Sequence, residues 1–218
     1  ITLEIQPLPI SKLIFMGRKQ KAQTTLTDKE ILDQMQALLN LRSASSATIS
    51  QSAPSATAFP QSTLKLPTRF PCLYVDGAGQ GADGGWGLIF YETLDRVIEL
   101  GGYAPDTTNN RMELQAAIEG AKLINSLKLE VTVPVYTDSQ YVQKGITLWI
   151  HNWLRSNWRD HSIKNQDLWE ELLQVNEPNL QWQWVKGHSG VVGNERADRI
   201  AESFARGKPI DLKDFRLS

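Results

Sequence analysis

Four carboxylates stand in four separate motifs: Asp76 in Leu73-Tyr74-Val75-Asp76-Gly77, Glu113 in Asn109-Asn110-Arg111-Met112-Glu113-Leu114, Asp138 in Tyr136-Thr137-Asp138-Ser139-Gln140, and Asp198 in Asn194-Glu195-Arg196-Ala197-Asp198. Gathered in one cleft, four such charges repel one another and are costly to desolvate unless something positive sits among them. One or two hard divalent cations are the natural neutraliser. His188, in the glycine-bounded run Lys186-Gly187-His188-Ser189-Gly190, adds a group free to shuttle protons near neutral pH. Singly, each has an ordinary explanation: Asp76-Gly77 as a turn, Glu113 as a first-turn helix acid, Asp138 as an N-cap, His188 as a surface residue.

The elements that must position these groups follow from patterning. Strand-like runs at 72–75, 86–91 and 97–100, joined by short Gly-rich or polar turns, predict an antiparallel meander. Helices are expected at 110–125, 139–158, 166–175 and 194–205, with strands at 131–137 and 180–185 between them, hence a mixed sheet with helices packed on it. Ala117, Gly120 and Ala121, on the turns after Glu113, let that helix lie close against the sheet. Thr108-Asn109-Asn110 offers a hydroxyl and two amides for reading hydroxyls, base edges or phosphates. Trp149, Trp153 and Trp158 alternate with His151, Arg155, Arg159, His161 and Lys164, a pattern that suits both stacking with phosphate contact and helix packing.

Composition bounds the rest. Of 218 residues, 41% are hydrophobic and 22% charged, enough for a core, and the one cysteine, Cys72, excludes an internal disulfide and predicts an intracellular, cytoplasmic protein. No apolar run approaches a membrane span, and no signal peptide is apparent. The net charge of -1 hides a basic N-terminal part: residues 1–69 carry eight Lys and Arg against four Asp and Glu, whereas residues 70–206 carry twelve against eighteen. Residues 1–42 are expected to form a basic extension with one short capped helix after Thr27, residues 43–69 a flexible Ser/Ala/Thr/Pro-rich linker, 70–206 the catalytic body and 207–218 a tail. Because Met16 directly precedes the basic run at 17–21, residues 1–15 are expected to be absent from the native product or to reflect a processed or mis-assigned start.

The four acidic motifs in this order, with Lys186-Gly187-His188-Ser189-Gly190 between the third and fourth, resemble type 1 ribonuclease H of the bacterial kind from about residue 71 to 205. Long runs carry the resemblance: Thr108 to Leu114, Thr137-Asp138-Ser139-Gln140-Tyr141-Val142, and Gly145 to Trp153. It implies the α/β ribonuclease H-like fold, a five-stranded mixed sheet of three antiparallel strands then two parallel ones, with helices on both faces. It implies a magnesium-dependent endonuclease that cuts the RNA strand of RNA/DNA hybrids, leaving 5'-phosphate and 3'-hydroxyl ends. Two Mg2+ ions per site are expected, with Mn2+ as a possible substitute.

By that resemblance Asp76, Glu113, Asp138 and Asp198 match the metal ligands, Asp76 bridging the ions, and His188 matches a residue assisting proton transfer and product release. Asn109, Asn110 and Gln140 match minor-groove contacts, Thr108 and Asn165 a pocket for a DNA-strand phosphate, and Gly77 belongs with the substrate contacts. Trp149 and Trp153 lie in the segment matching the family's basic protrusion, Trp153 as a platform for the deoxyribose backbone. The chain departs from the family pattern at Ala78, where Ser is frequent, and at Ala82-Asp83, where an Asn often touches the hybrid. Residues 1–69 contain no tryptophan and match no hybrid-binding module. The expected partners are hybrid nucleic acid for a monomeric body, and nucleic acid or another protein for the extension. A catalytically silent hybrid-binding module is the alternative, and it has no physical need of four mutually repelling acids; a transposase-like relative would not need the paired asparagines.

Overall fold

The computed structural model describes residues 64–159 and 162–217. The expected N-terminal helix, the basic run at 17–21 and most of the expected linker lie outside the described residues. Five strands, β1 (Cys72–Gln80), β2 (Asp83–Tyr91), β3 (Val97–Ala104), β4 (Val133–Thr137) and β5 (Leu180–Trp184), form one sheet in the order β3-β2-β1-β4-β5. The pairs β1–β2 and β2–β3 are antiparallel, whereas β1–β4 and β4–β5 are parallel, which is the expected mixed sheet. Helices α1 (Asn109–Leu127), α2 (Gln140–Lys144), α3 (Ile150–Arg155), α4 (Gln166–Val175) and α5 (Val192–Ala205) accompany it, and a π-helical turn, Gly145–Trp149, joins α2 to α3.

Alternation along β1 divides the faces. Leu73 and Val75 join Leu88 and Phe90 in the main core with Leu114, Ala117, Ile118 and Ala121 of α1. Cys72 and Tyr74 point the other way, toward Ile89, Tyr91 and Ala197 of α5. Helices therefore cover both faces, as expected.

The glycine-rich stretch after Asp76, expected as a turn between two strands, is itself almost wholly paired strand. β1 continues to Gln80, turns through Gly81 (φ 66°), and returns as β2 in unbroken register from Gln80–Asp83 to Cys72–Tyr91. A positive φ at the first central residue is what a two-residue hairpin turn asks for. The glycines serve close approach of helices: a Cβ on Gly77 would stand 2.2 Å from the Glu113 amide nitrogen, and one on Gly87 2.4 Å from the Ala197 carbonyl oxygen. With no side chains to alternate, such a strand leaves no period-2 signal.

Both segments flanking the body pack on it where they are described. Lys65 N–H donates to the Gly190 carbonyl (2.7 Å), Val192 N–H donates to that of Lys65 (3.1 Å), and Pro67 is buried, so the linker expected to run to residue 69 is already docked at Lys65. The tail pairs Asp214 with Ile98 on β3, and Glu99 N–H donates to the Lys213 carbonyl (2.7 Å). Glu99 itself is buried and receives Arg196 of α5 bidentately (2.8 and 2.7 Å) and the Lys213 N–H (2.9 Å).

Candidate active site

The four carboxylates converge because three elements end or begin beside β1. β1 and β4 pair Leu73 with Val135 and Tyr74 with Tyr136, so the same offset carried two residues on sets Asp138 beside Asp76. The Glu113 backbone lies against Gly77 across the α1 face, and α5, seated on the opposite face through Ala197, carries Asp198.

Asp76 is only 7% exposed. Burial, then the charges of Asp138, Asp198 and Glu113, push its carboxyl up to about 8, against a smaller lowering by the Gly77 N–H that donates to Oδ1 (2.8 Å). Glu113 is also raised, chiefly by desolvation, although Ser139 Oγ donates to Oε2 (2.5 Å) and Asn109 Nδ2 to Oε1 (2.9 Å). Asp198 is raised by burial and by Glu202, with His188 opposing. Asp138 is held by Asn194 Nδ2, which donates to Oδ2 (3.0 Å), and by Trp184 Nε1, which donates to its carbonyl (2.9 Å).

Among the described residues no three His, Cys, Asp or Glu side chains stand as a ready coordinating group. The donor chemistry still fits hard cations: every donor is a carboxylate oxygen, and the charges that raise Asp76 are all negative. A positive charge there would offset the repulsion among the acids and favour the charged carboxylate that burial disfavours.

His188 has a side chain 80% exposed, a left-handed backbone (φ 49°), and Nδ1 3.8 Å from Asp198 Oδ2. Its loop is anchored behind it, where Gly190 N–H donates to Glu195 Oε1 (2.9 Å). Thr108, Asn109, Asn110 and Gln140 are exposed at the starts of α1 and α2. Thr108 caps α1 by accepting from Arg111 N–H (3.4 Å), and Asn109 Oδ1 accepts from Gly79 N–H (3.0 Å), which ties the hairpin to the helix. Asn165, left-handed at φ 59°, precedes α4 on the far side of Arg111. Trp149, 37% exposed, packs at the edge of an aromatic cluster with Trp153, which in turn meets Trp158 and Trp169. Asp160 and His161 lie outside the described residues.

Two local expectations change, and one residue is added. Glu113 is the fifth residue of α1, past the first turn, so the helix dipole does not account for it. The N-cap of α2 is Ser139, which accepts from Val142 N–H (3.2 Å), and Asp138 is left for the cleft. Asn194, 2% exposed with no partner for Oδ1 among the described residues, is a polar group of the site that sequence reasoning passed over. Its signal was position: an Asn one turn before Asp198 on the same helix.

The RNase H family model matches residues 71–206. The chain is 51% identical over 151 residues to the ribonuclease H of Thermosynechococcus vestitus, covering 67% of this chain and 95% of that relative. It is 44% identical over 135 residues to the ribonuclease HI of Rickettsia conorii, covering 59% and 86%. Among solved structures it is similar to LC9-RNase H1, a type 1 RNase H with the type 2 active-site motif, at TM-score 0.56 and 29% identity over 68% of this chain and 79% of that one. The matched residues span the whole sheet and all four acidic motifs, and this chain belongs to the RNase H family.

Proposed function

We propose that this chain is an endonuclease that hydrolyses the RNA strand of RNA/DNA hybrids, with Asp76, Glu113, Asp138 and Asp198 holding two divalent cations, magnesium or, as a substitute, manganese. The observation that carries this reading is the buried Asp76, raised to about 8 among three other carboxylates. When bound, the cations lower the pKa of the attacking water and stabilise the leaving oxygen. Asp76, the most enclosed of the four, would be the ligand they share, and Asn194 and Ser139 orient Asp138 and Glu113. The new P–O bond forms from water and the P–O3' bond breaks, which leaves a 5'-phosphate and, once O3' takes a proton from solvent, a 3'-hydroxyl. His188, on its exposed loop beside Asp198, takes up the proton that water releases and helps the product leave.

Substrate choice belongs to the rim. Asn109, Asn110 and Gln140, exposed beside Glu113 and Asp138, suit reading of the minor groove, where the 2'-hydroxyl separates RNA from DNA. Gly77 keeps α1 close to β1, Thr108 and Asn165 suit a DNA-strand phosphate, and Trp149 and Trp153 suit the sugar backbone. We read residues 70–206 as the catalytic body, working in the cytoplasm, and the basic N-terminal part as an added contact for nucleic acid or another protein.

Labelled RNA/DNA, RNA/RNA and DNA/DNA duplexes incubated side by side with magnesium test this. Only the hybrid should be cut, in its RNA strand. Asp76→Asn should lower kcat on the order of a thousandfold or more while hybrid binding survives. Full activity in that variant would sink the assigned role.

A further inference from the structure

The hydroxyl of Tyr141, on α2 three residues after Asp138, is the centre of a network. It donates to the Lys164 carbonyl (3.0 Å) and accepts from Asn165 Nδ2 (3.2 Å) and Trp169 Nε1 (3.1 Å). A phenol has one proton and two lone pairs, so this one is saturated. Its ring lies against Trp169 (5.3 Å between centroids) and Trp149 (6.1 Å).

Asn165 occupies the N-cap position of α4, but its side chain makes no cap bond. Its Oδ1 accepts from Arg111 Nη1 (3.4 Å), whose guanidinium also pairs bidentately with Asp167 (3.0 and 2.6 Å). Arginine has no acceptor, so the amide can face only one way: oxygen to Arg111, nitrogen to Tyr141. One N–H of Nδ2 is then spent on the hydroxyl, and the second meets no acceptor among the described residues. Thr108, whose hydroxyl takes the Arg111 N–H, closes the other side of the same junction. Arg111 is largely neutralised by Asp167, so it orients Asn165 more than it attracts a polyanion.

We propose that Tyr141 is a positioning residue for substrate affinity: its hydroxyl fixes the Asn165 amide so that the spare N–H meets a phosphate oxygen of the DNA strand opposite the cleaved one. This rests on the hybrid-cleaving function proposed above. It joins the helix after Asp138 to the grip on the uncut strand, so the two strands are registered through one side chain.

The test is Tyr141→Phe, which keeps the ring and removes the hydroxyl. With labelled hybrid, Kd and KM should rise roughly fivefold, the size of one hydrogen bond, at unchanged kcat. Asn165→Ala should raise them similarly, and adding Tyr141→Phe to Asn165→Ala should raise them no further, because the hydroxyl then has nothing to position. Additive effects in the double variant, or a lowered kcat at constant KM, would overturn the role of Tyr141 while leaving hybrid cleavage standing. Wild-type protein that neither binds nor cuts hybrid would overturn both.

Discussion

At the scale of residues, Asp76 sets the pH behaviour of the metal-free protein. Its carboxyl goes from an ordinary 3.8 to about 8 in the fold, so between those values the folded protein holds a proton that the unfolded chain has lost. Stability therefore falls as pH rises across this window, by on the order of a few kcal/mol, and the whole cost is present above about pH 8. Glu113 and Asp198, both raised, act in the same direction. Urea unfolding in a chelator at pH 5 to 9 should show this decline, and Asp76→Asn should flatten it and give a more stable protein at the alkaline end. A steeper decline in the variant would contradict the electrostatic origin. The acids were legible because their motifs are long and ordered. Ser139, Asn194 and Tyr141 were not, since neutral side chains of this kind have many possible partners, and only the fold chooses Glu113, Asp138 and Asn165.

At the scale of elements, the closeness of α1 to β1 is what brings Glu113 to the cleft. Gly77→Ala would drive a methyl group into the α1 backbone at Glu113, where the gap is 2.2 Å. The helix must shift, so the variant should lose about 1–3 kcal/mol in urea unfolding. Its kcat should fall on the order of tenfold to a hundredfold, because a displaced ligand no longer meets the reacting atoms. An active, stable Gly77→Ala would mean that α1 can retreat without moving Glu113. Element types and order were readable from periodicity, and the mixed sheet follows from them. Extents were less so: the Gly77–Gln80 half of β1 carries no hydrophobic alternation, and the helical run at 139–158 conceals the π-helical turn Gly145–Trp149, where Gly145 makes room for the Trp169 ring.

At the scale of the whole molecule, Arg196 and Glu99 join α5, β3 and the C-terminal tail. The pair is 12% and 2% exposed, and Arg196 also donates to the Asp211 carbonyl (3.0 Å). Arg196→Ala should cost about 3–5 kcal/mol, because it strands a buried carboxylate, and replacing both residues by Leu and Met should recover part of that. Equal losses in the single and double variants would show that packing, not charge, is at stake. Sequence alone could not reveal this tie: Glu99 and Arg196 are 97 positions apart, and Glu99 reads as an ordinary polar residue of an exposed strand face. The C-terminal tail runs along β3, one of the two edge strands of the sheet, with Arg96 over the Phe215 ring at 4.0 Å. An outer strand with unpaired amides and carbonyls invites the same strand of another molecule, and the bridge at Ile98–Asp214 blocks that approach. Those few C-terminal residues therefore bear on the shelf life of the protein: cut back to residue 206, it would be expected to associate edge to edge and come out of solution as its concentration rises.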